Sequence, residues 1–284
     1  MIVNINGKIF DQHEAKISIF DRGFLYGDSI YEVTQTFNRT PFMLEEHLDR
    51  LWRSAQKLHL KLTYSRKQIT DEILKTIDAL DTDRAYIRLI ITRGEGEINL
   101  DPTIAIKNNL IVIAKELPPN PTWWYEQGVS VIVADTIRTS IKSVDPSAKS
   151  GNYLNNIMAY EEAVSQKAFD AIMLNHEGLV TEATTSNIWI VQDTKILTPP
   201  LEAGLLGGTM RAKLIEIAKK HQITVFQENF NAKELRMADE CFLTSTTRQI
   251  VPVTTIDSNP VGDGKPGKTT LSLLQLLRKE LGIH

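Results

Sequence analysis

Cysteine is nearly absent from these 284 residues: the single Cys241 can form no internal disulfide, so a disulfide-stapled secreted fold is excluded. It sits in the apolar run Glu240-Cys241-Phe242-Leu243 and reads as a small buried hydrophobe. An excess of basic charge is also missing. The net charge of -3 leaves no electrostatic footprint for nucleic acid. No apolar stretch approaches the roughly 18–20 residues that cross a bilayer, and Met1–Lys8 lacks the apolar run of a secretory signal. A cytoplasmic protein without membrane attachment is expected. The six histidines are scattered, with no pair at helical metal spacing, so no metal site is expected. Internal repeats and low-complexity tracts are absent too.

What is present is an ordinary globular composition, 42% hydrophobic and 24% charged, long enough for two domains. Asn6-Gly7 between alternating residues predicts a hairpin turn. Apolar residues at 44, 48, 51, 55 and 58 form one stripe of an amphipathic helix from Leu44 to Leu60, with Arg50 beside it. Ser65 followed by Gln68 is a capping box opening a second helix through Ile69, Ile73 and Ile77. Ala85 to Thr92 and Leu110 to Ala114 read as buried strands. These elements make an α+β domain over residues 1–116. The prolines of Leu117-Pro118-Pro119-Asn120-Pro121 mark a linker at 117–124. Residues 125–284 form a larger domain, with strands near 129–134, 170–175, 186–191 and 240–244 and helices near 153–167, 209–220 and 268–281.

Three segments bear on chemistry. Lys149-Ser150-Gly151-Asn152-Tyr153 places one lysine among small residues before a helix, and Thr181-Glu182-Ala183 places a carboxylate at the end of a strand. Most loop lysines are solvated charges; a lysine that forms an imine and an acid that holds a pyridinium nitrogen are what pyridoxal phosphate requires of a protein. A phosphate would then need a site, and two segments compete. Gly262-Asp263-Gly264-Lys265-Pro266-Gly267-Lys268-Thr269 matches the nucleotide-binding pattern GxxxxGK[ST]. It follows Thr255–Pro260, which reads as a turn and not as the strand such a loop needs. Gly204-Leu205-Leu206-Gly207-Gly208-Thr209-Met210-Arg211 enters a helix, where bare backbone amides bind anions; a plain glycine-rich loop is the alternative. Thr244-Ser245-Thr246-Thr247 offers further hydroxyls, or is a polar turn.

In order along the chain, Asp21–Asp28, Glu46–Leu51, Lys149–Asn155, Thr181–Asn187, Gly204–Arg211 and Leu243–Thr247 resemble the fold-type IV pyridoxal-phosphate enzymes. That family includes branched-chain and D-amino-acid aminotransferases and aminodeoxychorismate lyases. The resemblance implies an α+β enzyme of two domains, a smaller N-terminal α/β domain and a larger C-terminal pseudo-barrel that binds pyridoxal 5'-phosphate. It implies a homodimer or higher homo-oligomer and a transaminase acting on an amino acid and a 2-oxo acid such as 2-oxoglutarate. Lys149 matches the imine-forming lysine and Glu182 the acid at the ring nitrogen. Tyr153 matches the phenol at the ring hydroxyl, and Arg50 the phosphate arginine. Leu206 would pack on the ring, with Gly208, Thr209, Met210 and Thr246 around the phosphate. Branched-chain enzymes usually carry Ile-Thr where this chain has Thr209-Met210.

Tyr31, Tyr86, Arg88 and Thr247 are the substrate candidates, Arg88 alternatively making a strand-face salt bridge. Tyr86-Ile87-Arg88 resembles the branched-chain enzymes, and Glu95-Gly96-Glu97-Ile98-Asn99-Leu100 lacks the Arg-x-His pair of the D-specific ones. Tyr31-Glu32-Val33, in contrast, resembles the D-enzymes, and Gln35 stands where many branched-chain enzymes have arginine. A branched-chain L-amino acid is the expected substrate, with D-amino-acid or mixed specificity, and then the lyase, as alternatives.

Overall fold

A computed structural model describes residues 1–283. The chain divides into two compact units, Met1–Pro119 with Ala148–Tyr153, and Asn120–Ser147 with Leu154–Ile283.

In the first unit, β1 (Ile2–Ile5) and β2 (Lys8–Asp11) form the expected hairpin, with Asn6 at φ 53° and Gly7 at φ 89°. Both signs match a turn whose twist suits the flanking strands. A short helix α1 (Arg22–Tyr26) leads into β3 (Ser29–Phe37) and β4 (Thr40–Pro41), followed by α2 (Leu44–Lys57), α3 (Arg66–Leu80), β5 (Ala85–Thr92) and β6 (Asn109–Glu116). The strands make one antiparallel sheet in the order β2-β1-β6-β5-β3-β4. Ile87, Leu89 and Ile91 alternate onto the face that α2 and α3 cover, where Leu48, Leu51, Ile69 and Ile73 are buried. Each such side chain contributes about 1.5–3 kcal/mol of burial. α2 ends at Lys57, three residues before the expected Leu60, because His59 turns to φ 49°. The capping box at α3 is present, Ser65 and Gln68 each satisfying the other's backbone N–H.

The segment Ala148–Tyr153 groups with this unit, a departure from the expected assignment of all of 125–284 to one domain. Its backbone pairs with the start of β3: Tyr31 N–H donates to Lys149 O at 2.9 Å, and Gly151 N–H to Ser29 O at 2.8 Å. Gly151 suits this approach, since a Cβ there would lie 2.2 Å from Ser29 Oγ and the hydroxyl would have to move.

The second unit begins with α4 (Trp123–Glu126) and β7 (Val129–Val133), and continues with α5 (Leu154–Ser165), β8 (Asp170–Leu174), β9 (Val180–Ala183), β10 (Asn187–Gln192), β11 (Lys195–Thr198) and α6 (Thr209–Lys220). β12 (Val225–Gln227), α7 (Ala232–Arg236), β13 (Glu240–Ser245), β14 (Gln249–Ile256), β15 (Asn259–Pro260) and α8 (Lys268–Leu281) complete it. Its nine-stranded sheet runs β12-β11-β10-β13-β14-β7-β8-β9, with β15 beside β14. Ala183 N–H donates to Ser186 O at 2.8 Å, so the end strand β9 turns back into the central β10 and the sheet curls as a half-barrel. The central strands are buried along nearly their whole length, which is why β10 and β13 read as apolar runs without alternation. Trp189 and Phe242 stack there with ring centroids 5.5 Å apart. Cys241 lies in the core cluster with Ile190, Leu243 and Val253, and burial pushes its thiol pKa up, out of the reactive range.

The nucleotide-binding pattern takes no part in such a site. Glu240 Oε1 accepts from Thr269 N–H at 2.9 Å, and Oε2 accepts from Thr270 N–H and Oγ1 at 2.8 Å, so a carboxylate occupies the start of α8. The turn before it is confined to Asp257-Ser258, at φ 48° and 64°, between β14 and β15. Among the described residues no helix is long and apolar enough to cross a membrane, and no group of three or more His, Cys, Asp or Glu could hold a metal.

Removing the Glu240 carboxylate orphans two N-terminal amides of α8. Glu240→Ala is expected to cost about 1–2 kcal/mol, the upper part of the range for a lost N-cap, read from the urea midpoint at unchanged m-value.

Candidate active site

Lys149 is held by the bridge to β3, and its own N–H donates to Ser54 Oγ of α2 at 3.0 Å. Its side chain is 9% exposed. The amine donates to Tyr153 Oη at 3.0 Å and to Tyr31 Oη at 3.3 Å, and lies 4.4 Å from the Tyr31 ring centroid. The two phenols meet edge to face at 5.2 Å. Burial, with Tyr153 beside it, raises the Tyr31 pKa, so its hydroxyl stays protonated at neutral pH. The arrangement presents one amine to two phenolic oxygens in a poorly solvated place, where an amine is set up for covalent chemistry with a carbonyl group.

β3 carries two faces of this unit in alternate residues. Tyr31 points to the Lys149 side. Glu32 points to α2, where both oxygens are used: Oε1 accepts from Arg50 Nε at 2.7 Å, and Oε2 accepts from Arg50 Nη2 at 2.6 Å. Oε2 also lies 2.7 Å from His47 Nδ1. All three residues are buried. Burial alone would raise the Glu32 pKa, but the charge and hydrogen bonds of Arg50, and the His47 bond, outweigh it and hold it at about 2. Burial lowers His47, although Glu32 works against that. Arg50 therefore stands fixed by a forked pair, which sets its plane and direction. Glu32 and His47 were not among the candidates. The signal was available: His47 and Arg50 flank the apolar stripe of α2, and Glu32 is an acid at an inward position of a strand.

Arg88 lies with its guanidinium carbon 4.1 Å from the Tyr31 ring centroid. It makes this cation–π contact and no ion pair among the described residues, so the salt-bridge alternative does not hold. Tyr86 shares its face of β5 and packs under Lys115, whose amine is 5.3 Å from the Tyr86 ring centroid. The following loop is tied down from below. Buried Arg22 donates from Nη1 to Asn99 O at 2.6 Å and Asp101 O at 3.3 Å, and from Nη2 to Leu100 O at 3.3 Å.

In the second unit Glu182 lies on β9, 5% exposed. Its Oε1 accepts from Arg138 Nε at 3.1 Å and lies 3.0 Å from Nη2, while Oε2 accepts from Leu206 N–H at 3.1 Å. Asn187 Nδ2 donates to Leu206 O at 2.9 Å. The loop then passes Gly208, where a Cβ would stand 1.9 Å from Asn187 Oδ1, so only glycine fits. Gly208 is the N-cap of α6 and has no side chain to cover the amides of Thr209 and Met210. Thr209 Oγ1 lies 3.2 Å from Thr246 Oγ1, which sets two hydroxyls beside that helix start. Thr247 follows in the β13–β14 turn, its carbonyl accepting from Asn120 Nδ2 at 2.8 Å. A helix start capped by glycine, a close backbone approach at that glycine and paired hydroxyls beside it make a donor set suited to a phosphate. A buried carboxylate anchored by a guanidinium suits a pyridinium nitrogen. The residues thus fit pyridoxal phosphate. Arg138 was not foreseen, and its neighbours Thr136-Ile137-Arg138-Thr139 carry no motif.

Known proteins resemble this chain over most of its length. The family model described as amino-transferase class IV matches residues 29–256. A putative branched-chain-amino-acid aminotransferase of Methanocaldococcus jannaschii is 36% identical over 273 residues, 96% of this chain and 94% of that protein. A D-alanine aminotransferase of Listeria monocytogenes is 34% identical over 287 residues, 99% of this chain and 96% of that protein. Among solved structures, the T.th. branched-chain amino acid aminotransferase with pyridoxamine 5'-phosphate superposes with a TM-score of 0.93 at 28% identity, covering 100% of this chain and 95% of that one.

The Glu32 cluster predicts a pH dependence. A carboxyl whose folded pKa is about 2, against 4.5 for the unperturbed group, stabilises the fold fully above 4.5 and loses that contribution as pH falls toward 2. Glu32→Gln leaves Arg50 buried without its partner and should cost about 3–5 kcal/mol at pH 7. In urea titrations the gap between wild type and variant should narrow below pH 4.5. A gap unchanged down to pH 3 would show that ionised Glu32 does not carry the pairing.

Proposed function

Because the chain belongs to the class IV aminotransferases, which use pyridoxal phosphate, we propose that it moves the amino group between a branched-chain L-amino acid and a 2-oxo acid such as 2-oxoglutarate. The observation that carries this reading is the buried Lys149 amine held 3.0 Å from Tyr153 Oη, in a chain matched by the family model over residues 29–256.

Pyridoxal phosphate supplies, when bound, an electron sink for the charge left at the substrate Cα. Lys149 holds the cofactor through its amine and moves the proton at that carbon. Tyr153 and Tyr31 orient the amine by accepting its hydrogen bonds, and Tyr153 is the phenol for the ring hydroxyl. Glu182 keeps a proton at the ring nitrogen, and Leu206 packs on the ring. On the family's pattern the phosphate would go to the amides of Gly208, Thr209 and Met210 and the Thr246 hydroxyl, and Arg50 is the arginine that the same pattern assigns to it. Arg50 is directed to that task by Glu32. Tyr31, Tyr86, Arg88 and Thr247 are the substrate contacts, with Arg88 the only cation of the four and so the group for a carboxylate.

The loop after Gly94 supports the branched-chain substrate. Its exposed side chains include Ile98 and Leu100, and it offers neither arginine nor histidine between Glu95 and Leu100. A D-amino acid is the second reading, favoured by Tyr31-Glu32-Val33 and by the 34% identity to a protein named D-alanine aminotransferase. A homodimer is also proposed. Leu154, Ile157, Met158 and Val164 of α5 are each at least half exposed on this chain, which suits a face covered by a second copy. The lone buried Cys241 suits the cytoplasm.

Two experiments test these readings. Purified protein should show the visible absorption of a lysine-bound cofactor, bleached by borohydride. Lys149→Ala should lose the band and, with it, transamination by several orders of magnitude; turnover at the wild-type rate would sink the assignment. A panel of L-leucine, L-valine, D-alanine and aminodeoxychorismate, with 2-oxoglutarate as acceptor where one is needed, decides the substrate. Activity on L-leucine and L-valine is expected, and activity confined to D-alanine would move the assignment to the second reading.

A further inference from the structure

Arg138 pairs with Glu182, and among the described residues no second acid lies in an ion pair with it. It is 8% exposed and lies beyond the last residue of β7. Its own N–H donates to Leu174 O at 2.7 Å, which fixes the backbone. Its Nη1 donates to Asn156 Oδ1 at 3.2 Å and Asn155 Oδ1 at 3.3 Å. Both amides are themselves pinned, Asn156 Nδ2 to Thr184 O at 2.8 Å and Asn155 Nδ2 to Ile137 O at 2.9 Å. The remaining edge of the guanidinium, Nε and Nη2, meets Glu182 Oε1. Arg211 is the other guanidinium that feels Glu182, but its donors go to Pro199 O at 2.8 Å and Gln227 Oε1 at 3.0 Å.

A carboxylate and a pyridine nitrogen that share one proton compete for it. Burial raises the proton affinity of a carboxylate, and an adjacent cation lowers it. A neutral carboxylic acid beside an unprotonated ring would leave the ring a poor electron sink. The geometry points to Arg138 as the positioning residue that keeps Glu182 ionised and aimed, so that the shared proton stays on the cofactor's ring nitrogen; this rests on the assignment of Glu182 made above. The same pair reaches the ring-packing residue. Glu182 Oε2 holds the Leu206 N–H and Asn187 holds the Leu206 carbonyl, so the acid's orientation and the path into the Gly208 helix start are set by one network. The guanidinium spans Oε1 and two asparagine amides at once; a lysine would supply the same charge to Glu182 with fewer of these contacts.

The test uses holoenzyme loaded with pyridoxal phosphate carrying ¹⁵N in the ring, with the ring-nitrogen NMR signal read at pH 8 in wild type, Arg138→Met, Arg138→Gln, Arg138→Lys and Glu182→Gln. Wild type should show a protonated nitrogen. Arg138→Met and Arg138→Gln should shift it toward the unprotonated position and lower kcat about tenfold or more, with KM within about threefold. Arg138→Lys should keep the nitrogen protonated and recover most of kcat, which tests the charge even where a neutral variant does not fold. A neutral variant with the wild-type signal, or Arg138→Lys with an unprotonated ring, overturns the proposal. An unchanged signal in Glu182→Gln would instead overturn the assignment of Glu182, and the proposal with it.

Discussion

The position of the Lys149 amine depends on two backbone hydrogen bonds between a six-residue piece of chain and the start of β3. Ala148–Tyr153 contributes no regular strand, yet Tyr31 N–H to Lys149 O and Gly151 N–H to Ser29 O lay it against the edge of the first unit's sheet. Residue alternation then does the rest. With Ile30 opposite Ser150, Lys149 and Tyr31 come together, and Tyr153 follows one turn of chain later. A Cβ at position 151 would lie 2.2 Å from Ser29 Oγ, so the hydroxyl would have to turn away to admit one. The placing of the Lys149 amine thus rests on a close backbone contact that involves no charged group.

Alternation along β3 also explains why Arg50 is where it is. A strand that gives Tyr31 to one face must give Glu32 to the other, onto α2. An acid cannot be buried there alone, so α2 supplies Arg50 and His47 from the margin of its apolar stripe. The pairing satisfies the desolvated charges and, in the same step, locks the guanidinium. A fold requirement and the binding role proposed for Arg50 are served by one set of hydrogen bonds. Arg138 with Glu182 repeats the pattern in the second unit.

How much of this was legible follows from range. Local signals were read closely: Asn6-Gly7, the Ser65–Gln68 capping box, Ala85 to Thr92 and both helices at 209–220 and 268–281 stand where their residues place them. Lys149, Tyr153, Glu182 and Gly208 were legible because each lies in a motif of several residues. Arg138 was not, since its partner is 44 positions away and nothing near it is patterned. Nor could the grouping of Ala148–Tyr153 with the first unit be read, because backbone pairing at a single bridge leaves almost no trace in side-chain identity. The GxxxxGK[ST] pattern was misleading in form only: its helix start is filled by Glu240, an acid that no reading of the motif itself would include.

Substrate choice is less legible than cofactor chemistry for a reason visible in the loop after Gly94. That loop is held from beneath by Arg22, through the carbonyls of Asn99, Leu100 and Asp101. Carbonyl contacts fix the path of a chain without constraining its side chains. Ile98 is 72% exposed and Leu100 78%, so neither is selected by packing within this chain. The residues proposed for the cofactor sit under the opposite regime: Lys149, Glu182 and Arg50 each have their direction set by buried partners, and a change in one leaves a charge or donor stranded. A site whose residues are tied to the fold must keep them, and can be read from sequence. A loop tied only by its backbone can carry different side chains on the same scaffold, whereas a side chain held by buried partners cannot be exchanged without stranding them.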